Sequence, residues 1–239
     1  MTYIVNINYL LRLIILLTLI SNNSIAHTTN EETLFPDIKS LDARFDIILL
    51  VGVGIIPETE NFWPNRPMTL VDLAAWVGLS EGLVEIKDSP DIDLLAHSAL
   101  KAGITESLDG QANLSDVNKM IFQGRLLPTN EQAVLNRVDA AVYIAENITN
   151  IIDGDSWLQQ KNMRVGPSGE VTKVESKINP DGSSLFFVTV AGETHPVFSH
   201  GKLANGPTDL HQWKGRLIRR SIIRDLGSME LWVFLEAYD

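Results

Sequence analysis

The sequence predicts an α+β multidomain protein, an N-terminal all-α module of helix–loop–helix repeats followed by a small antiparallel β-barrel. Three observations lead there. Apolar residues recur at helical spacing as far as Ala145 and at strand-like spacing from Glu170 onward. Turn residues divide the second half into short segments of strand length. Charge is split as well. Residues 27–155 carry 8 Lys and Arg against 21 Asp and Glu, a net charge of −13, whereas residues 156–239 carry 10 against 9. The change falls at Asp153-Gly154-Asp155, a linker by composition. The expected divisions are therefore residues 1–26, 27–155 and 156–239.

The first division reads as an export signal. Leu10 to Ile20 is apolar except for Thr18 and the single charge of Arg12. This run falls well short of the ~20 residues that a membrane-spanning helix needs. Ser24 and Ala26 put small residues at the −3 and −1 positions of a secretory cleavage site, which predicts cleavage after Ala26; an uncleaved membrane anchor is the alternative. The chain has no cysteine, which excludes a disulfide framework, a thiolate zinc site, a cysteine nucleophile and a lipid-modified cysteine anchor. An exported chain without cysteine suits a bacterial envelope, at the cell surface or in the periplasm.

In the second division four stripes predict helices. Leu41, Phe45, Ile48, Leu49 and Gly52 share one face of a 3.6-residue period. Leu70, Leu73, Ala74 and Val77 repeat it behind Thr69, an N-cap. Leu94, Leu95, Ser98 and Ala102 do so before Gly103, a natural stop. Val138, Ala141, Val142 and Ala145 follow the cap residue Asn136. Loops rich in Pro, Gly and Asn run from Pro57 to Pro67 and from Ile104 to Leu114, so the module is helix–loop–helix twice over.

In the third division Glu170 to Ile178 and Ser184 to Val190 flank Asn179-Pro180-Asp181-Gly182, a hairpin signal. Leu217 to Ile223 and Met229 to Leu235 flank Asp225-Leu226-Gly227-Ser228 in the same way. With a strand at His195 to Ser199 and a polar segment from Leu203 to His211, five short strands favour a small barrel, which leaves no open sheet edge.

The helical division carries a more specific signal. Phe35-Pro36-Asp37-Ile38, Asp46 to Leu50, Gly54-Ile55-Ile56, Phe62, Pro64 and Met68-Thr69-Leu70-Val71-Asp72-Leu73-Ala74 resemble, in that order, an S-layer homology repeat. A second degenerate copy comprises Ala99 to Ile104, Asp109-Gly110 and Leu135 to Ala141, with Ser115 to Gln132 intervening as a longer insertion. The resemblance covers roughly residues 33–150. It implies a module that binds envelope polysaccharide non-covalently through the Arg of a Thr-Arg-Ala-Glu segment. That Arg corresponds to Arg137, with Asn136 and Asp139 beside it; in the first repeat Thr69 and Asp72 match, while Leu70 stands at the Arg position. A guanidinium at a helix start can fork onto the carboxylate of an acidic glycan, or it can pair with a neighbouring carboxylate of the protein. Trp63 is either a platform for a sugar or a loop closure. Two repeats leave helix surface uncovered, which a second copy in a homo-oligomer would cover.

The C-terminal division weakly resembles an oligonucleotide/oligosaccharide-binding barrel. Its chemical feature is a basic cluster in which Lys214, Arg216 and Arg220 form a candidate anion face; docking against the acidic first module is the other reading. An overall net charge of −11 argues against nucleic acid as the partner of the whole chain. The chain lacks a Gly-x-Ser-x-Gly elbow, a His-Glu-x-x-His pair and a phosphate loop, and Gly52-Val53-Gly54-Ile55-Ile56-Pro57 ends in Pro where a dinucleotide fingerprint needs Gly. His195, His200 and His211 could form a metal site, but their spacing favours three separate surface histidines. The expectation is a binding protein without catalytic residues, metal or cofactor, whose partner is an envelope polysaccharide or a surface protein.

Overall fold

The computed structural model describes residues 28–84, 90–126, 133–178 and 184–238. The expected leader and the turn at Asn179–Gly182 lie outside the described residues. Among the described residues six α-helices come first: α1 (Arg44–Gly52), α2 (Leu70–Ser80), α3 (Ile92–Lys101), α4 (Leu114–Ile121), α5 (Arg137–Asn147) and the single turn α6 (Trp157–Gln160). Six strands follow: β1 (Met163–Val165), β2 (Gly169–Ile178), β3 (Ser184–Val190), β4 (Glu193–Ala204), β5 (Leu217–Asp225) and β6 (Glu230–Ala237). Among the described residues no helix is long and apolar enough to cross a membrane.

The protein is thus α+β, and its sheet is mixed. The order is β1-β5-β2-β3-β4-β6, with β5 also paired to β6. β2 to β3 and β3 to β4 are antiparallel, but β4 and β6 run parallel, Val197 opposite Trp232 and Leu203 opposite Leu235. This corrects the expectation of a purely antiparallel sheet. A parallel pair needs a long crossover, and here a 3₁₀ turn at Leu210–Trp213 and all of β5 lie between the two strands. β4 also runs five residues beyond the expected Ser199, so Leu203 belongs to a strand rather than to the polar segment.

Helix α1 joins the two halves. Ile47, Ile48, Leu49, Leu50 and Val51 are all buried, so α1 is covered on every side rather than along one stripe. Ala204, Ile222, Val233 and Phe234 of the sheet belong to the same apolar cluster as the helices. The backbones approach closely as well, since a Cβ on Gly52 would sit 3.0 Å from the Val233 carbonyl oxygen. A second cluster, including Val171, Val188, Trp213, Trp232 and Leu235, fills the remainder of the strand region. In α3 the buried face is Leu95, Ala96 and Ala99, while the expected stripe residue Leu94 is turned outward.

The segment after residue 27 is fastened to the sheet. The Thr29 N–H donates to the Gly201 carbonyl (3.4 Å), and the Leu203 N–H donates to the Thr29 carbonyl (2.9 Å). Between those contacts Lys202 is only 2% exposed, with Nζ 2.8 Å from the Glu58 carboxylate and 2.9 Å from the His200 carbonyl oxygen. Burial pulls the Lys202 pKa below its ordinary 10.5, against the pull of Glu58. Between that lowered value and 10.5 the unfolded chain holds more protons than the fold, so stability rises with pH through this window. Lys202→Met removes a buried charge, and Glu58 is free to return to water. The variant is expected to gain about 1 kcal/mol, a rise of ~2–4 °C in Tm, and to lose the alkaline rise. Thermal melts between neutral and alkaline pH check both, and a Tm lowered by several degrees would refute the argument.

Candidate functional site

Three helix starts meet at one place. Each carries the same local signal, a Thr or Asn cap followed three residues later by Asp: Thr69 and Asp72, Asn113 and Asp116, Asn136 and Asp139. The cap oxygens accept from the backbone N–H of those Asp residues at 3.1, 3.0 and 2.8 Å. The segments leading into the helices are bridged to one another pairwise, through Pro67 and Asn136, Thr69 and Gln111, and Asn113 and Val134. Met68, Ala112 and Leu135, each just before its cap, are buried where the segments meet. The middle start belongs to α4. The sequence reading places no helix within Ser115 to Gln132, although Asn113-Leu114-Ser115-Asp116 forms a complete capping box.

Between α2, the start of α3 and the loops before α2 and α4 lies a cavity of about 440 Å³. Trp63, Thr69, Asp72 and Arg137 line it, as do Arg66, Trp76, Asp93 and Asp109, which the sequence reading did not single out as site residues. The resemblance marks Arg137 as an open fork for an anion, whereas in the fold its charge is engaged. Its side chain is 6% exposed, with Nη1 2.7 Å from Asp72 Oδ1. Its Nε donates to the Phe62 carbonyl (2.7 Å), and the guanidinium lies against the Phe62 and Trp76 rings at 5.1 and 5.4 Å. The other Asp72 oxygen accepts from the Thr69 hydroxyl at 2.7 Å. Burial lowers the Arg137 pKa while Asp72 opposes the shift.

Trp63 is built differently. It is 46% exposed and holds φ 53°, a left-handed conformation that bulky residues rarely adopt. Both oxygens of Asp37 fix it there, accepting the Phe62 N–H (3.0 Å) and the Trp63 N–H (2.6 Å). A half-exposed indole held in a strained backbone at a cavity mouth is a feature that packing alone does not require. Asn136 and Asp139 do not line the cavity. Asn136 is used up as the α5 cap, and Asp139 is exposed on the first turn.

The basic residues of the second half do not gather on one open strand face. Lys214 is exposed ahead of β5, and Arg216 donates to the carbonyls of Gln212 and Asn205, both at 3.4 Å. Arg220 is turned to the helical side, 2.6 Å from Asp46 of α1 and bonded to the buried Glu236. His195 sits 3.3 Å from Glu193 and 3.6 Å from Glu230, and Arg164 bonds both carboxylates at 2.9 Å, which holds both carboxyls below their usual range. Among the described residues no group of three or more His, Cys, Asp or Glu side chains is placed to hold a metal ion.

Compared with models of protein families, with curated proteins and with solved structures, the chain matches none.

Proposed function

We propose that the protein is an exported, non-catalytic cell-envelope protein that attaches non-covalently to wall or envelope polysaccharide, and that the cavity among the helix starts is its site. The observation that carries this reading is the convergence of Trp63, Thr69, Asp72 and Arg137 on one concave surface. These are four of the six residues that the S-layer homology resemblance and the loop tryptophan marked, drawn from stretches more than 60 positions apart. Three cap-and-Asp starts within one chain support the repeat reading, which then needs no second copy to complete it. On the same reading the strand half is a small barrel of the oligonucleotide/oligosaccharide-binding type. Pairing of β5 to both β2 and β6, with β4 parallel to β6, supports that.

Co-sedimentation of the purified full chain with isolated cell-wall sacculi tests the proposal. Trp63→Ala is expected to weaken binding roughly 30-fold, as loss of a central aromatic contact worth about 2 kcal/mol does, and to leave the melting temperature nearly unchanged. Failure of the unaltered protein to sediment with sacculi would instead assign the repeats to packing against other protein subunits of the cell surface.

A further inference from the structure

Resting on that reading, we infer that the cavity takes a sugar without an acid group, one that offers hydroxyls or an amine, rather than an acidic glycan. The charges decide it. Arg137 and Asp72 neutralise each other at 2.7 Å and are both nearly inaccessible, so neither presents a net charge to a ligand. The accessible charges are Arg66, Asp93 and Asp109, all exposed and none ion-paired among the described residues. Two carboxylates against one guanidinium leave the rim acidic, on a division that already carries −13.

A carboxylate accepts hydrogen bonds and does not donate them. Asp93 and Asp109 therefore reward a ligand rich in O–H or N–H groups, and they repel one that brings its own carboxylate. The Trp63 ring supplies the apolar face on which the C–H side of a pyranose rests, and Asp37 holds it ready before the ligand arrives. The volume of about 440 Å³ holds two to three sugar rings lying partly in solvent. For an uncharged sugar no ion pair forms, so binding is set by stacking and by hydrogen bonds to the rim carboxylates and is little screened by salt, whereas an amino sugar adds a salt-sensitive attraction.

Calorimetric titration with three soluble trimers tests this on the full chain: N-acetylglucosamine trimer, glucosamine trimer and galacturonic acid trimer. The neutral and amino trimers are expected to bind, and the acidic trimer to bind at least ~10-fold more weakly. Trp63→Ala should weaken the neutral trimer by a comparable factor. The combined Asp93→Asn and Asp109→Asn variant should narrow the gap between neutral and acidic trimers. Affinity for the neutral trimer should stay within about twofold from low to high salt. Tighter binding of the galacturonate trimer, or a steep loss of the neutral trimer's affinity with salt, overturns the inference. So does sacculus binding that no trimer competes, which leaves the attachment reading standing. Absence of sacculus binding removes both.

Discussion

Asp72→Ala is expected to destabilise the fold by about 3–5 kcal/mol, because it leaves the Arg137 guanidinium buried without its counter-charge. Asp72 Oδ1 lies 2.7 Å from Arg137 Nη1, and the two side chains are 9% and 6% exposed. After the substitution the Arg137 side chain retains, among the described residues, one acceptor, the Phe62 carbonyl, together with the flanking rings of Phe62 and Trp76. For a protein whose whole stability is on the order of 5–15 kcal/mol, such a loss is a large share. Asp72→Asn keeps an acceptor for the Thr69 hydroxyl but turns its amide NH2, a donor, onto the guanidinium, so it removes the ion pair while leaving the helix start in place. Adding Arg137→Met to Asp72→Ala should recover part of the loss, since no charge then remains buried. Urea unfolding of these chains together with the Arg137→Met single variant closes the cycle and measures the coupling directly. A loss below about 1 kcal/mol for Asp72→Ala, or a double variant no better than the single one, would mean that Arg137 reaches water when its partner is gone.

That pair also marks where sequence reading stops. Thr69 and Asn136 are legible as helix starts because capping is local: a cap oxygen, an acidic residue three positions on, and an apolar stripe behind. Whether Arg137 is an open ligand or an engaged one is decided by Asp72, which lies 65 positions earlier and meets it only after the helix starts converge. The same local rule is satisfied at Asn113, yet α4 is short and falls between two stretches aligned to a repeat pattern, so the pattern hides it. Helix α1 shows a different limit. Ile47 to Val51 is an unbroken apolar run, and such a run has no phase. Its burial on all sides becomes visible only once β4 and β6 lie against it. β4 is read too short for a related reason: Lys202 looks like a solvent residue until Glu58, 144 positions away, is placed beside it. β1, with three residues, is too brief to carry a period at all.

The convergence of three starts gives the cavity its chemistry. At each start the cap oxygen accepts the N–H of the Asp, and carbonyls of the neighbouring segments accept others, Gly110 from Leu70, Ala133 from Leu114, Arg66 from Arg137 and Pro64 from Val138. The helix ends are therefore largely spent within the fold rather than left as anion cradles. Positive charge that the sequence offers to an anionic ligand, at Arg137 by the resemblance and at Arg220 in the basic cluster, is instead engaged inside the fold, Arg137 with Asp72 and Arg220 with Asp46 and Glu236. What faces solvent is an indole, one guanidinium and two carboxylates, which is why the neutral-sugar reading and the stability of the Arg137 pair stand on the same geometry.

The second large effect is expected at Gly78, where helix propensity predicts the wrong sign. Gly78 lies inside α2, and replacing an interior helical glycine by alanine ordinarily stabilises by up to about 1 kcal/mol. Here the backbone of α3 crosses at that point. A Cβ on Gly78 would overlap the Leu95 carbonyl oxygen and lie 3.1 Å from the carbonyl carbon. The obstacle is main chain, so no rotamer change removes it; α2 and α3 must separate. Separation opens the packing around the buried Leu95, Ala96 and Ala99 and shifts Asp93, in the first turn of α3 at the rim of the cavity. Gly78→Ala is therefore expected to cost about 1–3 kcal/mol net, a Tm lowered by several degrees. Gly82→Ala is a contrasting control, because Gly82 ends the same helix at φ 63° with open space around its Cβ position, and its cost is backbone strain alone. Because the cavity rim moves with α3, Gly78→Ala should also weaken sacculus binding well below the melting temperature, while Gly82→Ala leaves it intact. A Gly78→Ala chain more stable than the original would show that the two helices are not in backbone contact.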